Sequence, residues 1–222
     1  MVRATTIADG TVAVRIRETS ERPFADAETA PPGGLRAAFL DRDGVINNSG
    51  HYVNSEKDFE LLPGAAAAIR RLNEAHVPVV VVTNQGSVAL EYLTLDELGR
   101  IHDRMDALLA AEGAHVDAVY AALTYPTGTI PELAGESHYR KPSPGMLERA
   151  SKDLGIDLAR STMVGDATTD ILAGQRAECR TILVKTGFGG EDGWTEAEPH
   201  AVVSDLAAAV QLILGEAPAP SG

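Results

Sequence analysis

A chain of 222 residues is long enough for one sizeable domain with a well-buried core, and its 44% apolar content is ordinary for a globular protein. The formal net charge of −13 argues against a nucleic-acid or anionic-membrane surface, because both attract cations. The single cysteine, Cys179, excludes an internal disulfide and a cysteine zinc cluster. No apolar run approaches the length of a membrane span or of a signal-peptide core, so the expectation is a soluble, cytoplasmic protein.

Residues 1–34 differ in character from the rest of the chain. Thr11 to Arg17 alternates apolar and polar residues, a strand signal, and Asp9-Gly10 ahead of it suggests a hairpin turn. Ser20 to Gly34 is rich in Glu, Pro, Ala and Gly and reads as a linker. The arm is either an added hairpin or an interaction segment. From Ala37 the pattern alternates strand and helix. Ala37 to Leu40 is a short buried strand, and Pro63-Gly64 opens a helix to about Ala75. Val77 to Val82 is a nearly continuous β-branched run, typical of a parallel strand buried on both faces. Thr94 with Glu97 has the spacing of a capping box for a helix to about Glu112. Val116 to Ala122, Thr162 to Val164 and Thr181 to Val184 read as further strands. Pro144 to Leu154 and Thr168 to Arg176 read as helices, and Ser204 is expected to cap a last helix to about Leu214. Residues 217–222 are expected to be a frayed tail. Such alternation predicts a parallel sheet covered on both faces, in which ligands bind beyond the carboxyl ends of the strands.

Four polar clusters stand at those ends. Asp41 and Asp43 come directly after the first strand of the series, and Gly44 permits a sharp turn. Alternation places both carboxylates on one side, where they repel unless a positive charge sits between them. Taken alone, the pair is either a solvated acidic turn or a nucleophile beside an acid/base sharing a divalent cation. Thr83-Asn84-Gln85-Gly86 closes the valine strand and offers a hydroxyl, amides and backbone N–H groups suited to a phosphate. Arg140-Lys141 lies in a loop stiffened by Pro142 and Pro144, which can hold an ammonium in place. Asp166 ends the Thr162 strand, and Asp170 lies near a helix N-terminus that favours a carboxylate.

Taken in order, Phe39 to Asn47, Val81 to Gln85, Arg140 to Met146 and Met163 to Asp166 resemble the signature motifs of the haloacid dehalogenase superfamily of phosphatases. With Tyr52-Val53 and Leu62-Pro63-Gly64, they resemble the subfamily of heptose-1,7-bisphosphate 7-phosphatases and histidinol-phosphate phosphatases. The likeness spans about residues 36–214, within a domain taken as 35–216, and leaves out the arm. It implies a three-layer, Rossmann-like α/β fold and hydrolysis of a small phosphorylated sugar. Asp41 would be the nucleophile and form an aspartyl-phosphate, with Asp43 as acid and then base. Mg2+ would be held by the Asp41 carboxylate, the Asp43 carbonyl and Asp166. Thr83 and the Asn84 N–H would bind the phosphoryl group, Lys141 would balance charge, and Asp170 would orient this shell.

Asp43 and Thr83 are 40 positions apart and Thr83 and Lys141 are 58, spans used up by ordinary elements, so no large cap domain is expected. Specificity then falls to loops at Asn47 to Asp58 and Leu123 to Tyr139, with Asn47, His51, Tyr52 and Arg140 as candidate substrate contacts. The relatives' zinc loop uses three cysteines and a histidine, whereas Ala122, Thr124, Ser137 and Tyr139 stand at those positions here. No structural zinc is therefore expected. Gly86-Ser87 and Leu90-Glu91 also depart from the subfamily pattern. Gly187 to Gly190 reads as a flexible loop without a dinucleotide fingerprint. The expected partner is a small phosphorylated metabolite, and the expected state is a monomer or small homo-oligomer. Histidinol phosphate, a polynucleotide end or a non-catalytic role are the alternatives.

Overall fold

The computed structural model describes residues 6–8, 11–17, 34–48, 53–193 and 196–215. Its strands are β1 (Thr6–Ala8), β2 (Val12–Ile16), β3 (Ala38–Leu40), β4 (Val79–Asn84), β5 (Ala118–Ala122), β6 (Thr162–Gly165), β7 (Arg180–Val184) and β8 (Ala201–Val203). The helices are α1 (Ala65–Glu74), α2 (Leu95–Ala111), α3 (Gly145–Leu154), α4 (Thr168–Arg176) and α5 (Leu206–Leu214).

These strands form one sheet in the order β1-β2-β5-β4-β3-β6-β7-β8. From β5 to β8 every pairing is parallel. Period-two alternation divides its side chains between two cores. Leu40, Val79 and Val81 point into a cluster with Ile69, Leu72, Ile101, Met105 and Val210, so α1, α2 and α5 cover that face. Phe39, Val80, Val82 and Met163 point the other way, against Met146, Leu147, Ala150 and Ala173 of α3 and α4. Burial on both faces is what the β-branched run of β4 requires. The result is the three-layer fold expected.

Strand and helix limits fall within a residue or two of those expected, with three differences. Strand β8 was not foreseen; its three residues are only partly buried and carry a weak pattern. The last helix is capped by Asp205, whose carboxylate accepts from Ala208 N at 2.9 Å, rather than by Ser204, whose hydroxyl donates to Asp205. The arm contributes a hairpin, with β2 pairing antiparallel to β5 from Val12↔Ala122 to Ile16↔Ala118. It covers an otherwise open sheet edge. Arg15 of β2 ties that edge to α2 through Asp103 at 2.6 Å and Asp106 at 3.0 Å. The Asp9-Gly10 turn, the linker and the C-terminal tail lie outside the described residues.

Between β3 and β4 the described chain holds one short turn, Glu56–Asp58, and α1. Between β4 and Lys141 it holds α2, β5 and the turn Pro131–Leu133. Among the described residues, neither interval contains a separate lid.

Candidate active site

Strand β3 is flanked by β4 on one side and β6 on the other. Chain order therefore runs in opposite directions across β3 and β6, which opens a crevice at their carboxyl ends. Asp41 leaves β3 with its N–H still bonded to Val164 O at 3.0 Å. Gly44, at φ 89°, then turns the chain, and Ile46 and Asn47 return their N–H groups to Arg42 O. This turn puts Asp41 and Asp43 at the mouth of the crevice. Thr83 and Asn84 end β4, Asp166 comes next after β6, and Asp170 lies in the first turn of α4.

Lys141 is the link between these ends. Its buried ammonium donates to Asp41 Oδ1 at 2.7 Å and to Val82 O at 2.9 Å, and pairs with Asp170 Oδ1 at 2.6 Å. The Asn84 side chain fixes the lysine backbone through a reciprocal pair. Its Nδ2 donates to Lys141 O and its Oδ1 accepts from Lys141 N, both at 3.0 Å. Burial works to discharge the ammonium, but Asp170 and Asp41 outweigh it and hold its pKa above the ordinary lysine range. The second oxygen of Asp170 accepts from Ala167 N at 3.0 Å. Both Asp170 oxygens are thus engaged, one by Lys141 and one by Ala167 N.

Asp41, Asp166 and Asp170 bring carboxylate oxygens within 4.8 Å of one another, and this is the only such acidic, His or Cys group among the described residues. Three carboxylates facing one ammonium leave two negative charges unbalanced. Burial, with repulsion from Asp170 and Asp43, pushes Asp41 up to about 7 against the pull of Lys141. Burial and repulsion from Asp41 and Asp170 push Asp166 up to about 8. All-oxygen donors carrying an excess of two charges fit a hard divalent cation such as Mg2+.

The glycine-rich loop closes over this cluster. Phe188 N donates to Asp166 Oδ2 at 2.7 Å, Gly190 N to Asp166 O at 2.7 Å, and Thr186 Oγ1 to Gly44 O at 2.6 Å. A Cβ on either Gly44 or Gly187 would overlap the Asp166 carboxylate. The expectation of an independent flexible loop is therefore corrected. These glycines let two segments close on one acid.

Asp43 sits in a cage of donors. Arg42 Nη2 reaches its oxygens at 2.8 and 3.1 Å, Arg42 Nε at 3.2 Å, Asn47 Nδ2 at 2.9 Å and Gln85 Nε2 at 3.0 Å. Burial acts to raise this carboxyl, but the Arg42 guanidinium and the hydrogen bonds outweigh it and hold Asp43 below the ordinary range. Gln85 also donates to Thr83 Oγ1 at 2.9 Å, which joins the β4 end to Asp43. Arg42, Gln85 and the loop glycines were not assigned roles from sequence. Arg42 and Gln85 lie inside recognised motifs, yet their partners depend on the folded turn.

Asn47 is brought to the site but fully buried behind Asp43, so its amide acts on that acid and not on the substrate as expected. Arg140 is half-buried at the rim, its guanidinium 4.9 Å from the Tyr125 ring centre and its Nη1 donating to Thr124 O at 3.0 Å. His51 and Tyr52 lie outside the described residues.

The profile of the HAD-hydrolase-like family matches residues 138–209. A D-glycero-D-manno-heptose-1,7-bisphosphate 7-phosphatase from Thermosynechococcus vestitus is 44% identical over 185 residues, covering 80% of this chain and 94% of that protein. The chain belongs to the haloacid dehalogenase-like hydrolases. Within this family, the crystal structure of a D,D-heptose 1,7-bisphosphate phosphatase from B. bronchiseptica, complexed with magnesium and phosphate, superposes with a TM-score of 0.74 at 35% identity. It covers 82% of this chain and all of that one. A HAD-like phosphatase from Mesorhizobium loti gives a TM-score of 0.77 at 32% identity, covering 95% of this chain and 98% of its own. That coverage extends the structural likeness into the N-terminal arm.

Proposed function

We propose that this protein is a Mg2+-dependent phosphatase that removes the 7-phosphate of a heptose 1,7-bisphosphate through an aspartyl-phosphate at Asp41. The observation that carries the reading is Asp41 at a switch-point strand end, bonded to the buried Lys141 ammonium at 2.7 Å and adjoined by Asp166 and the caged Asp43. The heptose bisphosphate phosphatases that the chain resembles supply the substrate class. The Asp41 carboxylate, the Asp43 carbonyl and Asp166 would hold Mg2+. Once bound, the cation offsets the excess negative charge, so that the carboxylates stay ionised and the phosphoryl oxygens are polarised.

Asp41 attacks phosphorus, and its new O–P bond replaces the bond to the sugar oxygen. Lys141 holds the attacking carboxylate in place and balances the arriving dianion. The Thr83 hydroxyl and the Asn84 N–H bind the phosphoryl oxygens. Asp43, ionised at rest, takes up a proton from solvent as the substrate binds and gives it to the leaving alkoxide. Arg42 favours the ionised form of Asp43 at rest, and the phosphate dianion opposes that pull as it arrives. In the second half, Asp43 takes a proton from water, whose oxygen displaces Asp41 from phosphorus. Inorganic phosphate and free Asp41 result.

The same reading makes 35–216 the phosphatase domain, extended by a hairpin from the arm. Arg140 is a second anion contact at the rim, and His51 and Tyr52 are further candidate substrate contacts. Protein contacts hold the loop 123–139: Leu133 and Ile130 pack on the core, Thr129 N donates to Ala89 O at 2.7 Å, and His138 pairs with Glu148 at 2.6 Å. No helix among the described residues is long and apolar enough to cross a membrane. We place the protein in the cytoplasm, acting on small phosphorylated metabolites as a monomer or small homo-oligomer. The test is phosphate release with Mg2+ from heptose 1,7-bisphosphate and histidinol phosphate, by wild type and Asp41→Asn in parallel. Preference for the heptose, with Asp41→Asn inactive on both, is expected. Turnover by Asp41→Asn overturns the covalent route, and preference for histidinol phosphate overturns the substrate.

A further inference from the structure

The Arg42 side chain is the largest fully buried one among the described residues, and its guanidinium meets a polar group on either side. On one side Nε and Nη2 grip Asp43; on the other Nη1 faces His102 Nε2 of α2 at 3.3 Å. A guanidinium only donates, so Nε2 must accept and the ring must be the neutral tautomer with its proton on Nδ1. His102 is itself 2% exposed. The neighbouring α2 acids, Asp103 and Asp106, are engaged by Arg15. His102 is thus the α2 group that meets Arg42.

We infer that His102 is a positioning residue for the proton transfer: by accepting from Arg42 Nη1 it fixes the guanidinium fork and so aims the Asp43 carboxyl at the leaving oxygen. The inference rests on Asp43 serving as the acid in the proposed reaction. Arg42 stands between Asp41 and Asp43 in the chain, and its guanidinium turns onto Asp43. Bonds to one edge of a planar fork leave it free to tilt, and a fixed acceptor at the far edge stops that tilt. Asn47 and Gln85 supply further donors to Asp43, yet both are neutral and each gives it a single bond. α2 thereby influences the chemistry without touching the substrate.

The test exploits the leaving group. A sugar alkoxide needs a proton as it departs, whereas p-nitrophenolate departs without one. For a covalent phosphatase, kcat/KM reports the step that expels the leaving group. We would measure kcat/KM on heptose 1,7-bisphosphate and on p-nitrophenyl phosphate with saturating Mg2+, for wild type, His102→Leu, His102→Gln and Asp43→Asn. In His102→Leu the sugar value is expected to fall at least about tenfold and the aryl value less than about threefold. His102→Gln, which keeps an acceptor oxygen, is expected to restore most of the ratio. The ratio does not depend on the folded fraction of a preparation, so partial misfolding cannot imitate or hide the effect. An unchanged ratio in His102→Leu, with the ratio collapsed in Asp43→Asn, overturns the role of His102 alone. An unchanged ratio in Asp43→Asn overturns the acid assignment beneath it.

Discussion

Removing Mg2+ and raising the pH should destabilise this protein in a way set by its carboxylate cluster. In the folded apoprotein Asp41 titrates near 7, against 3.8 for the unfolded chain, because burial and its acidic neighbours disfavour the charge. Between those values the folded state keeps a proton that the unfolded state has released. Stability is therefore fully present below the unfolded value and is lost as pH rises through the folded one. From about pH 5.5 upward Asp41 holds that proton over about 1.5 pH units, worth ~2 kcal/mol. Asp166, pushed to about 8, acts in the same direction. Its share overlaps with that of Asp41, since each carries the other's repulsion, so ~2–4 kcal/mol is the expected total. For a chain of this size that corresponds to a melting point lower by roughly 5–15 °C near pH 8 than near pH 5.5 in EDTA. Saturating Mg2+ should flatten the slope, because the cation binds the ionised carboxylates. The assay is thermal melting across pH with EDTA or with Mg2+. A melting point in EDTA that stays level or rises with pH would refute the charge imbalance on which the metal assignment rests.

Two further outcomes are expected of the same cluster. Lys141→Met leaves Asp170 buried without its counter-ion and should cost ~3–5 kcal/mol in urea unfolding at neutral pH; adding Asp170→Asn should recover part of that loss. Recovery of nothing would mean that packing, not charge, carries the effect. Gly187→Ala places a methyl group against the Asp166 carboxylate and Gly44 at a φ of 62°. The conformation alone costs about 1–2 kcal/mol. Displacement of Asp166 should raise the Mg2+ concentration for half-maximal activity by about tenfold, equivalent to ~1.4 kcal/mol. An unaltered Mg2+ requirement would detach the loop from the site.

Strands β4 and β6, the Thr94–Glu97 capping box and the strand-end acids were legible because their causes are local. β-branched runs make buried strands, and a hydroxyl three residues before a carboxylate makes a cap. The structure carries that box in full, Glu97 N donating to Thr94 Oγ1 and Thr94 N to Glu97 Oε2. What sequence left open depends on long-range pairing. Whether the arm becomes a hairpin is decided by the β5 edge, about a hundred residues away. The fate of Gly187 is decided by Asp166, and that of Arg42 by His102 sixty positions on. Asn47 shows the opposite failure. Its position in a recognised motif drew it toward the substrate, but a tight turn at Gly44 carries it behind Asp43.

The loop ahead of Lys141 carries no cysteine, and protein contacts shape it. The loop has to stay shaped beside Arg140, because Arg140 Nη1 is anchored on Thr124 O and its guanidinium lies over Tyr125. A zinc ion would fix such a loop through a few strong bonds to cysteine and histidine. Here the work is spread over a backbone clasp, Tyr125 N to Leu133 O and Gly135 N to Tyr125 O, and over Leu133 buried against the core. Gly128 allows the loop to close on Ala89, where a side chain would collide. Many weak contacts hold position less tightly than coordination does but require no thiolates. Such a loop is held by residues that can be replaced one at a time, so the rim around Arg140 can change shape while Asp41, Lys141 and Asp166 beneath it stay fixed.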